Sequence, residues 1–216
     1  MSIEYTYDKE QRLTSVTRTD GQYSTKTQYL YDDPRNNLYD DPRNIKLLTG
    51  IQDNNNRRFA TWAYDNQGRA ISSEHANGAE KVSLAYNDDG STTVTNEYGK
   101  QATYRFQVIQ GIKRIVAIEG EPSPNCPSSN STFTYDERGL LSSKRDNNGN
   151  LTTYQYNARG LETSRTEAAG TAQARTITTD WHPTLFLPVQ VSEPGRITRY
   201  QYDAEGRKTG ETVTTR

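Results

Sequence analysis

The chain has 216 residues, with 26 Lys and Arg against 27 Asp and Glu, and only 31% hydrophobic residues. The near-neutral balance argues against a general nucleic-acid binder, which carries a basic surplus, and no apolar run approaches the roughly 18–20 residues of a membrane-spanning helix. Low apolar content alone would suggest disorder, but 15 Tyr and a net charge of −1 oppose it, because disordered chains are poor in aromatics and rich in unbalanced charge.

The N-terminal stretch from Met1 to Arg12 is polar and carries Glu4, Asp8 and Glu10, so it does not read as a signal peptide. Cys126 is the only cysteine, which excludes a disulfide within the chain.

Along the chain, alternating polar and apolar stretches are broken by a recurring turn. A loose copy runs from Tyr7-Asp8 to Arg12-Leu13. Leu30-Tyr31-Asp32-Asp33-Pro34-Arg35-Asn36 is then duplicated as Leu38-Tyr39-Asp40-Asp41-Pro42-Arg43-Asn44. Its prolines block ladder pairing, so 30–45 reads as an enlarged loop. A full copy follows at Tyr64-Asp65-Asn66-Gln67-Gly68-Arg69, and a looser one at Tyr86-Asn87-Asp88-Asp89-Gly90-Ser91. Residues 120–132 are rich in Pro, Ser and Asn and mark a boundary between segments 1–119 and 133–216. Beyond them stand Tyr135-Asp136-Glu137-Arg138-Gly139, Tyr156-Asn157-Ala158-Arg159-Gly160 and Tyr202-Asp203-Ala204-Glu205-Gly206-Arg207.

The chemistry of these residues predicts a hairpin. Gly supplies the positive φ that closes the turn, and Asp or Asn bonds the turn backbone. Around the third full copy, Leu151, Thr153 and Gln155 would face one side and Thr152, Tyr154 and Tyr156 the other. Second turns at Asp20-Gly21, Asn77-Gly78, Asn147 to Asn150 and Ala168 to Gly170 would join the hairpins. Tyr64 to Tyr86 is 22 residues and Tyr135 to Tyr156 is 21, a period that fits two strands and two turns. Degenerate units fill Thr103 to Glu119 and Thr176 to Val191. Each unit is too small to bury its own apolar face, so units must stack.

These units resemble the Rhs/YD-repeat family, with Tyr64, Asp65, Gly68, Arg69, Tyr135, Asp136, Gly139, Tyr156, Asn157, Gly160, Tyr202, Asp203, Gly206 and Arg207 as signature positions. Trp62 to His75 and Trp181 to Arg196 are similar to the bacterial Rhs branch. The resemblance implies an all-β fold of stacked antiparallel hairpins forming a curved sheet, a segment of a β-shell. It also implies that the shell encloses a C-terminal toxin polypeptide, that the chain is part of a larger Rhs polypeptide, and that this polypeptide is bacterial, made in the cytoplasm and exported or surface-exposed. The Pro- and Asp-rich core motif at which the family frees its toxin has no counterpart between Thr198 and Arg216.

Other chemistry is weakly encoded. His75 and His182 are the only histidines, and neither lies in a nucleophile motif. Their ordinary readings are a surface imidazole and a packed corner beside Trp181. Asp146 to Asn150 partly matches a calcium loop, but the Gly and Glu positions of that loop hold Leu151 and Asn157. The expectation is a non-catalytic structural module without cofactor or metal. It would have no nucleic-acid partner and would self-associate through its sheet edges. The alternatives are an adhesion module that uses its Tyr, Trp, Arg and Asn on carbohydrate or a cell-surface protein, and, least supported, a hydrolase using Asp or Glu.

Overall fold

The computed structural model describes residues 1–31, 47–120 and 130–215. Among these residues there are eighteen strands, and every register determined between neighbours is antiparallel. The helical content among the described residues is one 3-10 turn, Ala76–Gly78. No helix there is long and apolar enough to cross a membrane. Contacts divide the chain into two units, 1–102 and 103–216. The boundary expected at 120–132 lies largely outside the described residues, as do Cys126 and most of the duplicated segment.

The first unit is a meander of β1 (Ser2–Tyr7), β2 (Leu13–Asp20), β3 (Tyr23–Leu30), β4 (Gly50–Gln52), β5 (Arg58–Tyr64), β6 (Ala70–His75), β7 (Val82–Tyr86) and β8 (Thr92–Thr95). The second holds most of β9 (Gln101–Ile109), then β10 (Ile112–Gly120), β11 (Ser131–Tyr135), β12 (Leu141–Arg145), β13 (Leu151–Tyr156) and β14 (Glu162–Glu167). It ends with β15 (Arg175–Trp181), β16 (Pro188–Glu193), β17 (Arg196–Tyr202) and β18 (Lys208–Thr215). The degenerate stretches expected at 103–119 and 176–191 are the hairpins β9–β10 and β15–β16.

Sequence explains the turns. Gln110 and Gly111 both take positive φ, 52° and 73°, the pair of values a two-residue hairpin turn needs to match strand twist. Pro194 and Gly195 (φ 82°) join β16 to β17, with proline presetting one turn residue and glycine accepting the left-handed one.

Each hairpin with a Tyr-Asp turn carries a bulge at its ring residue. Tyr64 opposes Ala70, but Ala63 opposes Ser72, so Ile71 is an extra residue on the return strand. The same slip leaves Thr14, Ser142, Thr163, Val189 and Thr209 unmatched. A bulge bends its strand and raises local twist, so each of these hairpins carries its own source of curvature, whereas β7–β8 pairs without a slip.

Burial is sparse. Val16, Ala60 and Ile177 are the buried hydrophobic residues among those described, joined by Ser15, Thr49, Ser91, Thr92 and Thr198. A sheet this thinly covered cannot rely on a central core, so hydrogen bonds and stacking between successive hairpins carry more of the stability than in a two-layer domain.

Candidate functional site

The Tyr-Asp turn is the best-defined site in the molecule. Asp65 Oδ1 accepts from the backbone N–H of Gln67 and of Arg69, both at 2.9 Å, and Oδ2 accepts from Arg69 Nε at 2.7 Å. Asp65 N–H donates to the Arg69 carbonyl and Gly68 N–H to the Asp65 carbonyl. Asp203 repeats this set with Glu205 N, Arg207 N and Arg207 Nε, and Asp8 repeats it with Glu10 and Arg12. Asp136 accepts from Arg138 N and Leu140 N, and Asn157 from Arg159 N and Leu161 N. Gly68, Gly139, Gly160 and Gly206 all sit at φ between 76° and 78°.

The carboxylates respond to this setting. Backbone donation from Leu140 holds Asp136 below the ordinary value, and the Arg207 side chain does the same for Asp203. Asp146 is lowered first by the Asn150 side chain. For Asp8 and Asp65, burial pushes the other way, but the backbone and guanidinium donors of Arg12 and Arg69 outweigh it. Burial raises the Tyr64 phenol above its usual range.

The ring residue reaches across to the preceding hairpin. Tyr86 Oη donates to the Ala70 carbonyl at 2.8 Å, Tyr202 to Pro188 at 2.8 Å and Tyr31 to Leu13 at 3.1 Å. Tyr64 donates to Leu48 and Tyr135 to Ile115, each at 2.7 Å. Guanidinium groups cap the rings, with Arg69 over Tyr86 at 4.1 Å and Arg12 over Tyr31 at 4.9 Å. In the second unit the turns also bind each other. Gln110 Nε2 donates to the Glu137 carbonyl, Arg138 Nη1 to Asn157, and Arg159 to the carbonyls of His182, Pro183, Thr184 and Leu185.

Several members of the series carry no sequence signature. Asp53 and Asn96 build the same turn, with N–H donors from Asn55 and Arg57 and from Tyr98 and Lys100. Asp146, compared above with a calcium loop, is a third, receiving Asn148 N and Asn150 N at 2.9 Å. The signal was the Asp or Asn four residues before the turn exit, without a preceding Tyr. At Asn87 the expected acceptor role passes to Asp89, which takes Ser91 N at 3.0 Å.

Both histidines are engaged locally. His182 follows Trp181 in the place of Asp, and its Nδ1 accepts from Leu185 N at 3.1 Å and Thr184 N at 3.3 Å. His75 lies 5.2 Å from the Phe59 ring and 3.3 Å from Glu80 Oε2. No group of three or more His, Cys, Asp or Glu among the described residues is placed to hold a metal ion.

One face of the second unit carries a charged strip. Arg165 meets Glu162 and Glu167, Glu167 meets Arg175, and Glu193 bridges Arg175 and Arg196. Beside it lies an open groove of about 620 Å³, lined by Lys144, Asp146, Thr152, Tyr154, Arg165 and Glu167 among others, with Thr152 and Tyr154 on the shared face that alternation requires. Its charges cancel, so it has no strong preference for an anion or a cation.

Stacked hairpins held by a repeated turn define a repeat protein whose unit is one hairpin with a Tyr-Asp apex. Residues 135–172, which run from the last residue of β11 through β14, match the RHS Repeat family model. Over that segment the match supports the Rhs/YD-repeat family. It is 27% identical over 111 residues to double-stranded DNA deaminase toxin A of Burkholderia cenocepacia (strain H111), covering 51% of this chain and 7% of that protein. The structure of TcdB2-TccC3-Cdc42 shares its fold with a TM-score of 0.64 at 16% identity, covering 97% of this chain and 12% of that one. The Tc holotoxin pore of Photorhabdus luminescens matches with a TM-score of 0.62 at 16% identity, covering 97% of this chain and 11% of that one. This chain thus spans a small fraction of the length of each.

Proposed function

We propose that the chain is a non-catalytic wall segment of a shell that encloses a toxin polypeptide within a larger Rhs protein. The observation that carries this reading is the ring-to-carbonyl bond from one hairpin to the one before it, as from Tyr202 to Pro188. Such a bond stabilises continuation of the sheet and does nothing else. The Asp65, Asp203 and His182 side chains accept from turn backbone N–H groups, and Arg69 and Arg207 are paired to those two carboxylates. Similarity to a toxin by sequence and to Tc toxin structures by fold supports the same setting.

The test is protection. The protein is captured by antibody from cells that make it, treated with protease, and analysed by mass spectrometry before and after the fold is opened with denaturant. A non-repeat polypeptide that survives digestion only while the fold is intact is the expected result. Digestion of all non-repeat sequence at the same rate in both states would overturn the reading.

A further inference from the structure

The turn between β4 and β5 departs from its siblings in two ways. After Asp8, Asp65 and Asp203, the arginine four residues on gives its Nε to the aspartate Oδ2 at 2.6–2.7 Å. Arg57 holds that place after Asp53, whose Oδ1 takes the N–H of Asn55 at 2.8 Å and of Arg57 at 2.9 Å. Yet among the described residues the exposed Arg57 guanidinium makes no ion pair and no hydrogen bond. The second departure is at the bulge. Ile51 opposes Ala60 and Gln52 opposes Arg58, so Phe59 is the extra residue. In the hairpins of Tyr7, Tyr64, Tyr135, Tyr156, Trp181 and Tyr202 that residue is Thr, Ile, Ser or Val. Here it is an aromatic ring, 57% exposed.

The two departures meet in one place. A bulge re-aims the side chain it carries, and this one brings Phe59 to an open groove of about 500 Å³ that Ile51 and Ala76 share with Asp53, Arg57 and Arg58. The His75 ring, 5.2 Å away, backs the Phe59 ring. Arg58 is committed, its Nη2 donating to the Thr49 carbonyl at 2.6 Å. Asp53 is committed to its turn through Oδ1. Two cations stand against one anion, so the charges do not cancel as they do in the groove beside Arg165. Arg57 is the cation with donors to spare, next to an apolar floor.

We propose that this groove binds an extended polypeptide segment in which Asp or Glu adjoins a large apolar side chain. The carboxylate sits on the Arg57 guanidinium and the apolar group on Phe59 and Ile51. A guanidinium fork matches a carboxylate with two parallel N–H bonds, which fixes the orientation of the segment. A polypeptide is the occupant because a small-molecule site buries most of its ligand. An open groove on a sheet does not, whereas a polypeptide adds contact on either side of the anchored pair. The inference is separate from the wall reading, since it concerns what one turn binds and not what the sheet encloses.

Amide NMR spectra of the isotope-labelled full chain, titrated with capped peptides, test it. The probes are Gly-Leu-Glu-Phe-Gly, the same peptide with Gln for Glu, and the same peptide with Ala for both Leu and Phe. The first should shift the amides of Ile51, Arg57 and Phe59 and saturate. Exchanging Glu for Gln in the peptide, or Arg57→Gln in the protein, should each weaken binding about tenfold, the low end for a charge-assisted hydrogen bond. Both together should cost little more than either, because they remove one bond. The Ala peptide should also bind more weakly, as should Phe59→Thr, which puts at this bulge the residue type found at Thr14. If Phe59→Thr loses sheet by circular dichroism, the Ala peptide carries that arm alone. Absence of groove shifts with the Glu peptide, equal binding of the Gln or Ala peptide, or wild-type affinity in Arg57→Gln would each overturn the proposal. Phenylpropionate binding as tightly as the Glu peptide would overturn it too, by making the groove a small-molecule site.

Discussion

Trp181 Nε1–H donates to the Glu162 carbonyl at 2.7 Å, in the place where Tyr202 Oη meets the Pro188 carbonyl at 2.8 Å. Two different side chains thus meet one geometric demand, a donor at the bulge that reaches the neighbouring hairpin. Both rings sit where the register slips.

Removing those donors should be measurable. Tyr202→Phe deletes only the hydroxyl and should cost about 1 kcal/mol. Trp181→Phe also removes ring volume from a part-buried position and should cost about 2–3 kcal/mol. Urea unfolding of the full chain reads both, and equal costs would mean that the larger indole ring contributes nothing beyond its hydrogen bond.

The hairpin architecture was legible because its turn residues are explicit. Tyr64 to Arg69 and Tyr202 to Arg207 place Asp, Gly and Arg at fixed offsets, and each residue type has one physical task there. What stayed hidden were turns that meet the same demands with other residues. Asn56 (φ 57°) stands where Gly stands elsewhere, as Gln11 (φ 60°) does in the loose copy at Tyr7 to Leu13, and Trp181-His182 replaces Tyr-Asp. A pattern keyed to residue type cannot see a substitution that preserves only a hydrogen bond. The turn-to-turn bonds of Arg138 and Arg159 were also invisible, since their acceptors are backbone carbonyls, which every residue carries.

The left-handed position gives a paired prediction. Gln11→Gly relieves a side chain at φ 60° and should stabilise by up to about 1 kcal/mol. Gly139→Ala meets nothing closer than Arg114 at 3.6 Å, so its cost of about 1–2 kcal/mol is conformational. Gly206→Ala should cost more, because Leu185 and Leu187 stand 3.2 and 3.4 Å from the added carbon. Thermal denaturation of the three variants gives the order, and a destabilised Gln11→Gly would show that Gln11 earns its place by other contacts.

Acid should act through the turn carboxylates. Asp8, Asp65, Asp136, Asp146 and Asp203 all titrate below the ordinary 3.8 in the folded protein. Unfolded chains therefore bind these protons first, and the carboxylates contribute stability that is fully present above about pH 4 and lost as pH falls through the folded values. The midpoint temperature should be flat near neutrality and fall below pH 4. Asp65→Asn keeps an acceptor for the turn backbone, as Asn157 does naturally, but loses the charge that binds Arg69, so it should reduce the acid slope and give up part of the stability at pH 7. An unchanged slope in that variant would remove Asp65 from the acid response.

Arg159 ties its own turn to the following one through four carbonyls and lies 4.9 Å from the Phe186 ring centre. The loop from His182 to Leu187 closes with a single backbone bond, His182 N–H to the Leu187 carbonyl at 2.8 Å, among the turn bonds of that loop. The guanidinium fork supplies several donors in a fixed plane, and a lysine ammonium cannot span four acceptors in the same way. Arg159→Ala should therefore speed amide exchange at His182 and Leu185 roughly tenfold, the equivalent of about 1.4 kcal/mol of local opening. Arg159→Lys should recover only a small part of that protection. Hydrogen exchange read by mass spectrometry on the full chain compares the three proteins. If lysine restores full protection, charge alone holds the loop and the fork geometry is incidental. If alanine leaves exchange unchanged, the loop is held by Trp181 and the Nδ1 bonds of His182, and the links between turns are a consequence of stacking rather than its cause.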